Sequence, residues 1–344
     1  MTRRISLGLV GVSLILAGCS SEAWRVEPQV SGVSSSLRGL SVVSDDIVWI
    51  GAPEGTILRT LNGGQTWQVM TTELAGGADL RSAHGFDEEH ALFITAGQPA
   101  RILATRDGGA SFAIVWQDDS GSAFFDSLAF WDDQQGLAFS DPVDGAFLVL
   151  RTHDGGESWQ TLTGLPAPLE GEAGFAASNS SIALTGTGCA FIGTGGGPVA
   201  RVLRSCDHGE HWIALDTPIA AGSDGAGIFA VTASGPSTLA VSGGDYQSPE
   251  SMAGTFAISR DNGDAWLGSD APPLGYRSDI VRLWGEWIAV GTTGVDLGRE
   301  IELSIMWRDS GWDIAAPNAV AISPSGETAW IIGAEGGIWR LKAR

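Results

Sequence analysis

Positive charge is scarce in this sequence. Its 344 residues carry 19 Lys and Arg against 40 Asp and Glu, a formal net charge of −21. Such a chain lacks the concentrated basic face that nucleic acid requires, and an anionic membrane surface would repel it. No helical apolar stripe runs beyond about three turns. Tyrosine occurs twice, so chemistry that needs one must use Tyr246 or Tyr276. The five histidines, His84, His90, His153, His208 and His211, show no metal-site spacing. No metal or cofactor is expected.

Glycine, in contrast, is abundant at 49 residues, which favours short strands and tight turns. One frame recurs five times: Ser or Thr, any residue, Asp or Asn, any residue, Gly, then an aromatic three residues on. It reads TLNGGQTW (60–67), TRDGGASF (105–112), THDGGESW (152–159), SCDHGEHW (205–212) and SRDNGDAW (259–266). The starts lie 45, 47, 53 and 54 residues apart, the period of a four-stranded propeller blade. In a hairpin between third and fourth strands, the acidic side chain of Asp107, Asp154, Asp207 or Asp261, or Asn62 in its place, accepts backbone N–H bonds. The glycine adopts positive φ, and the aromatic starts the outer strand. The frame reads as a structural staple rather than as catalytic machinery.

Upstream of each box lies a second phrase, strand, Gly-rich turn, strand, as in WIGAPEGTILRT from Trp49 and FIGTGGGPVARVLRS from Phe191. Seven copies are recognisable, the last being WIIGAEGGIWRL from Trp330. That copy lacks a following strand, and AWRVEPQV (23–30) resembles the strands after the boxes. The expected fold is all-β: a seven-bladed propeller over 23–344, closed by an N-terminal strand that completes the last blade and removes exposed sheet edges.

Residues 1–18 have the outline of an export signal, with Arg3 and Arg4 before an apolar run. Leu16-Ala17-Gly18-Cys19 resembles the bacterial lipobox, which implies lipidation of Cys19, a short tether over 19–22, and a place in the bacterial envelope. Cys189 and Cys206 flank the Gly195-Gly196-Gly197-Pro198 turn symmetrically. They are either a disulfide across a hairpin or two free buried thiols.

The boxes resemble the Asp-box, or BNR, repeats of sialidases, some endoglucanases and the photosystem II stability/assembly factor family. ILRTLNGGQTW and FFDSLAFWDDQQGLAFSDPVDGAFLVLRTHDGGESW are most similar to exported bacterial relatives of that last family. The resemblance implies a protein-binding assembly or stability factor. Such relatives are often called oxidoreductases, yet no dinucleotide, flavin or haem motif is present. GTGGGP lies between two strands and lacks the helix N-terminus that holds a pyrophosphate.

Setting the innermost-strand starts in register gives SSLRGLS, DLRSAHG, FFDSLAF, GEAGFAA, AGIFAV, YRSDIV and PNAVAI. They bring Arg38, Arg81, Asp126, Glu172, Arg277 and Asn318 to one channel mouth, with Asp141, Asp144, Asp245 and Tyr246 in loops on the same face. The arginines either pair with Asp126, Glu172, Asp141 and Asp279 or bind an acidic ligand, a carbohydrate acid or an acidic segment of a protein partner. The alternative class is a sialidase-like glycoside hydrolase, which needs a tyrosine nucleophile paired with a glutamate. Tyr276, beside Arg277, would then use Glu172 or Asp126. A non-catalytic, monomeric binding propeller is the favoured reading.

Overall fold

The computed structural model describes residues 24–301 and 304–343. The expected leader and Cys19 lie outside these residues. Seven four-stranded antiparallel sheets form the blades of a propeller. Blades 1 to 6 cover residues 39–71, 79–117, 125–161, 182–216, 226–268 and 279–309. Blade 7 takes its three inner strands from Pro317–Ile322, Thr328–Gly333 and Ile338–Ala343. Its outer strand is Trp24–Gln29, paired from Trp24 against Ala343 to Gln29 against Ile338. Trp24 locks this closure, donating its indole N–H to Glu286 of blade 6 at 3.0 Å and stacking on Trp284 at 4.5 Å.

Burial follows strand position. Second strands such as Ala91–Ala96 are buried along their length, because blades cover both their faces, while outer strands such as Gln68–Thr71 are largely exposed. Apolar side chains fill the spaces between neighbouring blades: Phe139 and Val149 of blade 3 share a cluster with Ile192, Leu203 and Trp212 of blade 4.

Each box is a closed hydrogen-bond circuit. Thr152 Oγ1 donates to Asp154 Oδ1 at 2.8 Å and accepts the Gly156 N–H at 2.9 Å. Asp154 accepts the Ser158 N–H at 2.9 Å and its hydroxyl at 2.6 Å. The threonine or serine repeats both of its bonds around Asn62, Asp107, Asp207 and Asp261. Hydrogen bonds hold Asp107, Asp207 and Asp261 below the usual carboxylate range, led by the Ser111 hydroxyl and the His211 and Ala265 backbone N–H groups respectively. Gly156 has φ +86°, and a Cβ there would lie 2.5 Å from Leu92 of blade 2, so backbone conformation and blade contact both demand glycine. The box also donates a backbone N–H to the inner turn of its own blade, as from Gly155 to the Gln134 carbonyl at 2.9 Å. In blade 4 a Cys189–Cys206 disulfide joins the second and third strands where they meet those turns.

Thr152→Val keeps the shape of this buried side chain but leaves the Gly156 N–H without an acceptor. The expected cost is about 1–3 kcal/mol, read from urea unfolding. His153→Ala, at an exposed position in the same turn, should stay within about 0.5 kcal/mol of wild type. Equal stability of all three would contradict the staple role.

Candidate functional site

The candidate site is built where blade 4 departs from the repeat. The GEAGFAA stretch was expected to start an innermost strand, but it does not: blade 4's inner strand is only Ile182–Leu184, and Ala173 makes an isolated bridge with Gly195. The preceding segment, 174–181, enters the central channel instead. Apart from Phe175 and Asn179 it consists of Gly, Ala and Ser, slim enough to occupy the axis, and its polar groups find partners around the ring. Asn179 Nδ2 donates to the carbonyls of Leu40 at 3.3 Å and Ala83 at 2.8 Å, while Ser127 Oγ donates to the Asn179 carbonyl at 2.9 Å. Ser178 Oγ donates to the Ser278 carbonyl at 3.0 Å, and the Val231 N–H to the Ser180 carbonyl at 2.8 Å. The plug is thereby bonded to blades 1, 2, 3, 5 and 6.

Above the plug, on the face away from the boxes, lies a cavity of about 390 Å³. Arg38, Arg81, Asp126, Asn318, Tyr246 and Tyr276 all line it, as do Phe175 of the plug and Phe229 of blade 5. Four of these residues owe their direction to the same device. The inner strands of blades 2, 3, 5 and 7 each bulge by one residue, and the extra residues are Arg81, Asp126, Phe229 and Asn318. A bulge at this point re-aims its side chain.

The cavity has two halves. On one side, Arg38 Nη1 donates to the Ala177 carbonyl at 2.9 Å, and Arg81 Nη1 to the Ala176 carbonyl at 3.5 Å. Arg81 also pairs with Asp79 at 3.0 Å, both side chains about one-third exposed. Among the described residues, no carboxylate lies within ion-pair distance of Arg38. Its pKa is lowered, first by burial and then by the Arg81 charge. On the other side, Phe175 stacks on Phe229 at 3.9 Å, with Tyr276 edge-on at 4.7 Å and Tyr246 half exposed at the rim.

Asp126 is fully buried, and among the described residues neither of its carboxyl oxygens has a hydrogen-bond partner. Burial, then the charge of Asp141, raises its pKa well above the usual carboxylate value, against the pull of Arg81. Burial also raises Asp141 to about 6, although it accepts the Gly174 N–H at 2.8 Å.

Two expected residues are spent elsewhere. Glu172 is held by Arg201, whose Nε donates to it at 2.9 Å, and by Thr194 Oγ1 at 2.5 Å. Arg277 is 1 % exposed and donates to Asp296 through Nε at 3.0 Å and Nη2 at 2.5 Å. Neither lines the cavity. The expected ion pairs are corrected accordingly: the partners are Asp79, Asp296 and Arg201, while Asp279 accepts the Ile280 and Val320 N–H groups and burial raises its pKa to about 7. Of the two partners expected for Tyr276 in a sialidase-like hydrolase, Glu172 is committed to Arg201, while Asp126 lines the cavity together with Tyr276, whose pKa burial raises. Asn318 serves structure as well, donating to Ser36 Oγ at 2.9 Å and the Leu37 carbonyl at 3.0 Å. Asp245 accepts from Ser223 Oγ and the Gln247 N–H, both at 2.9 Å. Among the described residues, no group of three or more His, Cys, Asp or Glu could hold a metal, and no helix is long and apolar enough to cross a membrane.

Fold and site together define a seven-bladed Asp-box propeller whose channel is plugged from blade 4. No family model and no curated protein matches the chain. Solved structures do. A structure of YCF48 bound to D1 peptide aligns with TM-score 0.64 and 15 % identity, over 94 % of this chain and 98 % of that one. YCF48 from Cyanidioschyzon merolae aligns with TM-score 0.63 and 14 % identity, over 92 % and 98 %. A GH74 xyloglucanase from Xanthomonas campestris aligns with TM-score 0.57 and 15 % identity, over 87 % of this chain but 51 % of the enzyme. At these identities the likeness is one of fold.

Arg201→Ala would leave Glu172 buried without its counter-ion. The expected loss is about 3–5 kcal/mol of unfolding free energy, measured by denaturant titration. A loss below about 1 kcal/mol, the range of surface pairs, would contradict the structural role given to this pair.

Proposed function

We propose that this protein is a non-catalytic binding propeller whose cavity takes a carboxylate-bearing segment of a protein partner, and that it serves as an assembly or stability factor. The observation that carries this reading is Arg38. In a chain with net charge −21, it stands at the cavity beside Arg81 with a backbone carbonyl as its partner and no carboxylate within ion-pair distance among the described residues. Guanidinium groups bind carboxylates bidentately, and the adjacent stack of Phe175 and Phe229 offers an apolar wall for a neighbouring side chain. The fold likeness to YCF48, a photosystem II assembly factor with a solved peptide-bound structure, supports a peptide as the kind of ligand.

We propose further that Cys19 is lipidated and tethers the propeller in the bacterial envelope. Cys19 precedes Trp24 by five residues, a reach of at most about 18 Å. Trp24 packs on the Trp284 turn, which joins the first two strands of blade 6 and so lies on the box face. A tether this short would turn the boxes toward the membrane and the cavity away from it.

Display of random peptides against the purified protein tests the binding reading. Enriched sequences should carry a carboxylate next to an aromatic or aliphatic residue. Arg38→Ala and Arg81→Ala should each weaken them by about tenfold or more, which is about 1.4 kcal/mol. Arg106→Ala on the box face should leave affinity unchanged. Undiminished binding by Arg38→Ala would overturn the assignment.

A further inference from the structure

Asp126 is the group at this cavity that the fold leaves unsatisfied. It is 0 % exposed, and among the described residues its two oxygens have no partner. It lies against the plug so closely that a Cβ on Gly174 would overlap its Oδ2. Across the same glycine, Asp141 accepts the Gly174 N–H. Two carboxyl groups from blade 3 therefore meet one glycine of the plug, and the cation nearest in influence is Arg81. The charged groups around Asp126 are few. Blade 2 brings Arg81 with its partner Asp79, and blade 3 brings Asp141. The segment leading into blade 1 brings Arg38, which also lines the cavity. The plug brings none within 174–181, and Glu172 before it is neutralised by Arg201.

We propose that the proton on Asp126 decides whether Arg81 is free to hold an external carboxylate, so that the site takes up a carboxylate ligand and a proton together. The proposal rests on the reading of the cavity as a carboxylate site. An ionised Asp126 would be a second internal counter-ion for Arg81 beside Asp79, and its charge in the cavity wall would repel an incoming anion. A protonated Asp126 removes both obstacles. Burial without hydrogen bonds favours that neutral form in the empty protein. A bound carboxylate favours it further, and the coupling is reciprocal: whatever the anion does to proton affinity, the proton does to anion affinity. The proton comes from solvent and returns to it on release. Asp126 acts through Arg81, as a residue that sets the charge of the site.

The probe is N-acetyl-phenylalanine, a carboxylate next to an aromatic ring, with its uncharged amide as control. Each is titrated into the full protein by NMR between about pH 5.5 and 8, where the probe's own carboxyl remains ionised. For wild type, Kd for the acid should rise with pH, with a limiting slope of about tenfold per pH unit for one linked proton. Asp126→Asn should bind as tightly as wild type at the acid end and show no such slope. Asp141→Asn removes a charge that raises the Asp126 pKa, so it should keep the slope and start it at lower pH. The ¹³C carboxyl shift of Asp126 in wild type, with and without saturating probe, reads the same linkage without a variant, and its midpoint should rise when the probe is bound. A wild-type Kd independent of pH, or an Asp126→Asn slope equal to wild type, overturns the proton coupling while the arginine site stands. Equal affinity for acid and amide, or no binding at any pH, overturns the carboxylate site and the coupling with it.

Discussion

The site depends on one side chain that crosses the channel. Seven blades set in a ring leave an axial hole, and a segment can enter it only if its backbone polar groups find partners. Asn179 ties the plug to three blades, its side-chain amide donating to carbonyls of blades 1 and 2 while its backbone carbonyl takes a hydroxyl from blade 3. With the plug fixed, the channel becomes a blind cavity. The Ala176 and Ala177 carbonyls orient Arg81 and Arg38, and Phe175 is presented to Phe229. A local break in the repeat thus produces the geometry of the candidate cavity.

Charge is then distributed unevenly over this frame. Arg201 and Arg277 are buried against Glu172 and Asp296, pairs in which each charge needs the other to remain in the interior. Arg340, on the box side, donates to the Gly63 and Asp45 carbonyls and lies over the Trp330 ring. Among the described residues, Arg38 has a carbonyl and no carboxylate, while Asp126 is a buried acid with no hydrogen bond. Such imbalances carry a cost in stability, and groups whose proton affinity is displaced by burial and a charged neighbour concentrate at functional sites. Arg38 and Asp126 meet in one cavity.

Much of the fold was legible because its signals are local and periodic. The box residues set the turn, the spacing set the blade, and the seventh copy's missing strand pointed to Trp24–Gln29. Register of the inner strands also brought Arg38, Arg81, Asp126 and Asn318 to the cavity, because equivalent positions in a repeat share a place in the ring. It failed for Glu172 and Arg277, since position does not determine partner: Arg201 lies on another strand of its blade, and Asp296 is 19 residues beyond Arg277. The plug was not legible at all. FAASNSS stands at the repeat position of an inner strand and carries no motif that assigns it to the channel, and its contacts, such as those from Asn179 to residues 96 and 139 positions away, are long-range. Phe229 was missed because one apolar residue in an apolar strand gives no hint of the bulge that turns it inward.

The most direct measurement is a crystal structure of the protein with bound N-acetyl-phenylalanine. The account predicts the carboxylate within hydrogen-bond distance, about 2.7–3.2 Å, of both Arg38 and Arg81, with the ring against Phe175 and Phe229 and the plug in place. A probe seated on the box face, or in the cavity with both guanidinium groups unengaged, would contradict it.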